Sequence, residues 1–128
     1  MEVVRPPLWI TDERGAPRLR GVHCTGCGAD LFPPQEYGCI RCGAYGERLE
    51  ERDLPTEGTV LSFAEVHVHH SHPVPFTLGD VELDAGPIVR AALAPGSKPH
   101  IGLRAHGVVV ADEGDARFEF ALSDEVQQ

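Results

Sequence analysis

Residues 23–43 read HCTGCGADLFPPQEYGCIRCG and hold all four cysteines of the chain in two Cys-x-x-Cys-Gly knuckles. In each knuckle the chain turns back after the first cysteine, and the glycine supplies the positive φ that closes the turn. Two such turns present four sulfur atoms to one tetrahedral ion, an arrangement that suits zinc, with iron as the alternative. The predicted ligands are Cys24, Cys27, Cys39 and Cys42.

Four thiolates fill a tetrahedral site and leave no position for water or substrate. A site of this kind is therefore structural rather than catalytic. A ribbon of this size is too small to fold by burial of apolar surface alone, so metal binding supplies its folding energy. We predict one structural Zn²⁺ ion per chain.

The composition limits the classes of protein to which the chain can belong. Its 128 residues carry a net charge of −9, and the N-terminal stretch lacks the apolar run and cleavage site of a secretory signal. No window approaches the roughly 20 apolar residues of a membrane-spanning helix. We therefore expect a cytoplasmic protein in which paired cysteines bind metal instead of forming disulfides. The acidic surface argues against a nucleic-acid partner, because affinity for phosphates comes largely from Lys and Arg.

The order of apolar, cysteine-rich and charged stretches divides the chain into four parts. These are an N-terminal arm at 1–19, a zinc ribbon at 20–46, a charged linker at 47–57, and a strand-rich domain with an acidic tail at 58–128. The arm carries an apolar anchor at 8–10 and several prolines, which disfavour long regular structure.

Five strands are predicted in the last part of the chain. The first, at 58–68, is rich in β-branched and aromatic residues. Alternation places Val60, Ala64, Val66 and Val68 on one face, and Leu61 and Phe63 on the other. Apolar residues on both faces favour a long, curved strand that changes neighbours partway. Shorter strands are expected at 78–84, 87–94, 104–112 and 116–122. We predict a mainly β protein, with a rubredoxin-like zinc ribbon followed by a five-stranded OB-fold barrel.

The histidine-rich stretch VHVHHSH at 66–72 is the second candidate for chemistry. A strand that continued through it would place Glu65, His67 and His69 on one face, where they could bind a catalytic metal. The alternative, which we favour, ends the strand near Val68 and leaves the histidines in an exposed turn. No Gly-rich phosphate loop or G-x-S-x-G elbow occurs elsewhere. We therefore predict no catalytic residue and no enzyme activity for the chain on its own.

Five motifs follow one another in an order that resembles a known family. They are LRGVHCTGCGADLFPP at 19–34, CIRCG at 39–43, GTVLSFAEVH at 58–67, VELDAG at 81–86 and IGLRAHGVVV at 101–110. The set is similar to the acyl-CoA-associated OB-fold proteins with a rubredoxin-like zinc ribbon, catalogued as domain of unknown function thirty-five. The arm before the ribbon departs from that family, since it is short and proline-rich where many members have helices.

The resemblance implies an accessory subunit that binds a thiolase-like enzyme, such as a thiolase, synthase or aldolase acting on acyl-CoA thioesters. There it bridges subunits or helps to form the CoA site. The ribbon tip, the apolar arm and one face of the barrel are the expected docking surfaces. Three basic residues of the barrel are the available cations for CoA phosphates. The candidate contacts are Phe32, Pro33, Pro34, His67, His69, Arg90, Lys98 and Arg104.

Two other functions remain open at this point. Zinc ribbons and OB barrels also serve as nucleic-acid-binding modules, although these usually carry a basic groove with stacking aromatics. A small metalloenzyme that uses the histidine tract is the second alternative. The net charge of −9 disfavours the first, and the lack of further ligands near the tract disfavours the second.

Overall fold

The computed structural model of the protein describes residues 8–34, 38–68, 74–112 and 115–126. Within these ranges the chain forms nine β-strands, one short 3-10 helix and no α-helix. The strands make two antiparallel sheets, one of four strands beside the cysteines and one of five strands in the C-terminal half. The predicted mainly β class is therefore confirmed. No helix in the described ranges is long and apolar enough to cross a membrane.

The first sheet is built around β2 (Pro17–Cys24), the strand that leads into the first knuckle. It pairs with β1 (Trp9–Thr11), β3 (Asp30–Leu31) and β4 (Leu49–Leu54). A 3-10 helix at Gly46–Arg48 connects the second knuckle to β4. Cys24 lies opposite Leu49 in this register, so the chain that enters the first knuckle runs beside the chain that leaves the second.

Two segments differ from the sequence-based interpretation. The charged stretch at 47–57, interpreted as a linker, contains β4, and the middle residues of this strand are exposed while Leu54 is buried. The arm at 1–19 contributes β1 and the first residues of β2. Strand pairing extends through both segments because it satisfies backbone hydrogen bonds and needs few apolar side chains.

The second sheet is the predicted OB-fold barrel. It consists of β5 (Gly58–Val66), β6 (Phe76–Leu83), β7 (Ile88–Ala92), β8 (Leu103–Asp112) and β9 (Asp115–Val126), in the order β7-β6-β5-β8-β9. Its two ends meet where Leu93 forms a parallel bridge with Phe120. The Ala94 N–H also donates to the Phe120 carbonyl oxygen at 2.8 Å. These contacts curl the sheet into the barrel expected for this Greek-key topology.

A β-bulge between Val60 and Ser62 bends the first barrel strand. Before the bulge, Gly58 and Thr59 pair with β8 on one side and with β6 on the other. Beyond it, β5 continues only along β6. The strand is long and bent, as predicted, but it pairs with β6 over its whole length and loses β8 partway instead of exchanging one neighbour for another.

The same bulge reverses the alternation of side chains along β5. Val60 is buried opposite Val81, inside the barrel. Ser62 lies on the outer face, and Ala64 and Val66 follow it there with the strand period of two. The predicted common face of Val60, Ala64 and Val66 is therefore wrong, because one extra residue moves every later side chain to the opposite face.

One hydrophobic core joins the two sheets. Trp9, Leu19 and Leu54 from the first sheet are buried in the same cluster as the barrel residues. The ring of Phe118 lies 6.4 Å from the Trp9 ring and 5.1 Å from the Phe120 ring, measured between centroids. The arm and the base of the ribbon are thus part of the barrel core.

Candidate metal centre and surfaces for a ligand or partner

The four cysteine sulfur atoms converge on one point. All four lie within 4.8 Å of one another. The Sγ atoms of Cys24 and Cys42 are 3.6 Å apart, and those of Cys27 and Cys39 are 3.7 Å apart. Tetrahedral zinc with Zn–S bonds of about 2.3 Å requires sulfur atoms about 3.8 Å apart, so this donor set fits one zinc ion. The clustering expected from the spacing of the knuckles is observed.

Each knuckle is closed by the glycine that follows it. Gly28 and Gly43 have φ values of 82° and 80°. Their N–H groups donate to the carbonyl oxygens of Cys24 and Cys39, at 2.8 and 2.9 Å. Only glycine adopts this left-handed conformation without steric cost, which explains its place after each second cysteine. The two knuckles are therefore built alike, as predicted.

The second knuckle holds two thiols of different acidity. The Arg41 backbone N–H donates to the Cys39 sulfur at 3.3 Å and is the largest influence that lowers the pKa of Cys39 to about 7. At Cys42 the Ala44 backbone N–H acts to lower the pKa, but the Cys24 thiol and desolvation outweigh it and raise the pKa to about 11. The Cys39 thiol therefore loses its proton more readily than the Cys42 thiol in the metal-free chain, and the thiolate is the metal-binding form.

The histidine tract contributes little to a metal site in the part of the chain that the structure describes. His67 Nε2 lies 3.2 Å from Glu65 Oε1, and both side chains are exposed. His69, the third predicted ligand, lies outside the described residues. Among described residues, the four cysteines form the only group of three or more metal-ligating side chains.

Two of the three cations proposed for CoA phosphates are already engaged. Arg90 donates through Nε and Nη2 to Asp80, at 2.8 and 3.1 Å, and this contact lowers the pKa of the carboxyl group. Arg104 forms a bidentate pair with Asp84 through Nη1 and Nη2, and this contact lowers the pKa of the Asp84 carboxyl group. Lys98 is exposed and forms no ion pair with the described residues. A phosphate at either arginine would compete with a carboxylate already bound there, whereas Lys98 has no such competitor among the described residues.

The expected docking surfaces at the ribbon tip and the arm are partly buried. Phe32 and Leu8 are partly buried against the barrel core, whereas Pro33 and Pro34 are exposed. In the arm, Trp9 is only 8% exposed and Ile10 is 36% exposed. Phe32 and Trp9 therefore stabilise the junction of ribbon and barrel, and contact of this region with a partner stays a prediction.

Further large apolar side chains are exposed on or beside the barrel, where the sequence analysis expected one docking face without naming its residues. They lie on β5, just after it, just before β6 and in the loop before β8. These residues are Leu61, Phe63, Val68, Val74 and Ile101. Alternation alone assigns Leu61 and Phe63 to the face opposite Val60. The bulge instead returns Phe63 to the face of Val60, opposite Gly79, and it leaves no clear signal in the sequence.

Comparisons with known proteins agree with this architecture. Residues 51–111, from β4 into β8, match the family model described as "ChsH2, C-terminal OB-fold domain". The chain is also similar to a solved structure titled "Ltp2-ChsH2(DUF35) aldolase", with 23% sequence identity and a TM-score of 0.67. That likeness covers 82% of this chain and 84% of the other and supports the fold. No curated protein sequence matches the chain. The family resemblance predicted from the ordered motifs is confirmed.

Proposed function

We propose that this chain is a non-catalytic accessory subunit of a thiolase-like enzyme, since residues 51–111 match the family model of the ChsH2 C-terminal OB-fold domain. The partner is a thiolase, synthase or aldolase that acts on acyl-CoA thioesters, and this subunit bridges its chains or helps to form the CoA site. The family match is the single observation that carries the proposal, because ChsH2 is named together with Ltp2 in the similar aldolase structure.

The cysteine cluster supports a structural role for the ribbon. The four cysteine sulfur atoms would hold a zinc ion and fill its four positions, so the ion would offer no open position to a substrate. A bound zinc ion would supply the positive charge that holds the two knuckles together, and the Arg41 backbone N–H orients the Cys39 sulfur. The cysteines form no disulfide, which is consistent with a cytoplasmic protein.

Of the three basic residues of the barrel that the sequence analysis named as candidates for CoA phosphates, one is a better candidate than the other two. Arg90 and Arg104 each form a bidentate pair with a carboxylate. Breaking such a pair to bind a phosphate would cost strong charge-assisted hydrogen bonds. Lys98 is exposed in the loop that precedes β8. We therefore propose that Lys98 is the first candidate in this subunit for a CoA phosphate at the shared interface.

The two alternative functions have weaker support. Nucleic-acid binding requires unpaired cations, and the arginines of the barrel are paired in a chain of net charge −9. A metalloenzyme would use Glu65 and His67, which are exposed and lack a third ligand among the described residues.

Turnover measurements test the proposal. Acyl-CoA thioesters of different chain length are offered to the zinc-loaded chain, to a thiolase-like enzyme of the same organism, and to the mixture. We expect no turnover by the chain alone, and a higher rate in the mixture than with the enzyme alone. Turnover by the isolated chain, or a rate that is the same with and without it, would contradict the proposal. Lys98→Ala, with Arg90 and Arg104 intact, should raise KM for the thioester without unfolding the chain.

A further inference from the structure

The outer half of β5 has an unpaired edge in the part of the chain that the structure describes. β8 pairs with β5 only at Gly58 and Thr59, and the last contact on this side is the Gly102 N–H, which donates to the Val60 carbonyl oxygen at 2.9 Å. From the bulge onward, β5 pairs with β6 alone, as far as Val66. An unpaired strand edge exposes backbone donors and acceptors to which another strand can add.

The register identifies which backbone groups lie on this edge. The Leu93 N–H donates to the Thr77 carbonyl oxygen, so Thr77 directs its backbone groups toward β7. Backbone groups alternate between the two sides of a strand, and β6 residues adjacent to Thr77 therefore direct theirs toward β5. Thr77 and Gly79 lie opposite Glu65 and Phe63. Phe63 and Glu65 thus direct their N–H and C=O groups away from β6, toward the unpaired side.

Exposed apolar side chains flank these backbone groups. Leu61 and Phe63 are 38% and 43% exposed, and Ile101, which precedes the Gly102 contact to β5, is 70% exposed. Proteins usually protect an unpaired edge with charged residues, but Glu65 is the only charged residue in β5. Apolar side chains beside free backbone groups are the combination that binds an added strand, with affinity from the backbone and specificity from the side chains.

We propose that this edge, residues 61–66, receives an extended strand from the thiolase-like partner, with apolar residues against Leu61, Phe63 and Ile101 and a basic residue near Glu65. This inference rests on the proposed function and identifies the surface that it uses. The net charge of −9 and Glu65 select a partner segment of positive charge. A second copy of this chain is disfavoured as the occupant, because it would bring a further −9 and a second Glu65 to the same edge.

Hydrogen exchange and two matched pairs of variants test this inference in the full zinc-loaded chain. The amide protons of Phe63 and Glu65 should exchange rapidly in the chain alone and at least about tenfold more slowly in complex with the thiolase-like enzyme. Phe63→Lys should weaken the complex by about tenfold or more. Its control, Ile88→Lys, replaces an equally exposed apolar residue on β7 and should leave affinity unchanged.

The second pair separates the backbone from the side chain. Glu65→Pro removes an edge N–H, whereas Glu65→Gln removes only the charge. We expect the proline variant to bind more weakly than the glutamine variant. Zinc content and the unfolding midpoint of each variant establish that it remains folded.

The outcomes distinguish this inference from the function on which it rests. A complex that forms without protection of Phe63 and Glu65, and that tolerates Phe63→Lys, overturns the inference alone. A dimer of the chain by itself that Phe63→Lys dissociates also overturns it, since a second copy would then be the occupant. The absence of any complex overturns both. Slower exchange of the Phe63 and Glu65 amide protons in the complex, together with weaker binding by Phe63→Lys and Glu65→Pro, supports the addition of a partner strand to this edge.

Discussion

The closure of the barrel depends on a close contact between Gly79 and Leu93. A Cβ atom on Gly79 would lie 2.6 Å from Leu93 Cδ2, and its next two neighbours, at 3.1 and 3.3 Å, are also atoms of the Leu93 side chain. Leu93 is 3% exposed and forms the parallel bridge with Phe120 that joins the ends of the sheet. The Leu93 side chain thus fills the space that Gly79 leaves. A double-mutant cycle on Gly79 and Leu93 measures how strongly the two residues depend on each other.

Each single substitution should destabilise the protein for a different reason. Leu93→Ala removes a buried side chain and leaves a cavity, which costs about 2–5 kcal/mol. Gly79→Ala crowds Leu93 and costs about 1–3 kcal/mol, reduced by about 0.5–1 kcal/mol because alanine is favoured over glycine in the strand. In the double variant the new methyl group enters the cavity. Its destabilisation should therefore be smaller than the sum of the two single values by about 1–2 kcal/mol.

Urea unfolding of the metal-loaded protein at neutral pH, followed by far-ultraviolet circular dichroism, measures these free energies. The slopes of the four unfolding curves should agree, so that the differences report stability alone. Additivity of the two single substitutions to within about 0.5 kcal/mol would refute the packing argument.

Three further predictions concern the cysteine site and the charged residues. Cys24→Ser, or a zinc chelator, should release the metal and unfold the ribbon. A chain that contains no metal by elemental analysis and is still folded would contradict this prediction. Visible absorption of the purified protein would indicate iron. The Asp80 carboxyl group should titrate below its usual pKa of 3.8, and Arg90→Gln should raise that pKa, as observed by NMR. The stability that the Asp80–Arg90 pair contributes is complete above the unfolded-state pKa of about 3.9, and it is lost as the pH falls through the folded-state pKa. An Asp80 titration that is unchanged in Arg90→Gln would show that Arg90 does not lower the pKa of Asp80. The double variant of His67→Ala and His69→Ala should keep the metal content of the parent; loss of one equivalent would identify these histidines as ligands.

The cysteine site was predictable because its geometry is local. Two cysteines three positions apart, followed by glycine, determine a turn with little help from the rest of the chain. Four sulfur atoms at tetrahedral spacing follow once the knuckles approach each other. The barrel was predictable for a related reason, since runs of β-branched and aromatic residues separated by turn-formers identify strands.

Other features depend on contacts that no short stretch of sequence specifies. Only the two ends of β4, Leu49 and Leu54, contact buried clusters, and the four residues between them are exposed. The apolar alternation that identifies a strand is therefore nearly absent from it. The bulge in β5 shifts the faces of Ala64 and Val66 by the addition of one residue to the pairing with β6. Whether Arg90 is free or paired depends on its position opposite Asp80 across two strands. The strand β4, the bulge in β5 and the pairing of Arg90 are therefore visible only once the pairing of the strands is known.

Sedimentation velocity of the zinc-loaded chain mixed with a thiolase-like enzyme of the same organism tests directly whether the chain is a subunit of such an enzyme. We expect the chain to sediment with the enzyme as a hetero-oligomer of defined stoichiometry. Phe63→Lys should return the chain to the slow boundary, and Ile88→Lys should not. Two independent boundaries, together with full activity of the enzyme in the absence of this chain, would contradict the proposed function.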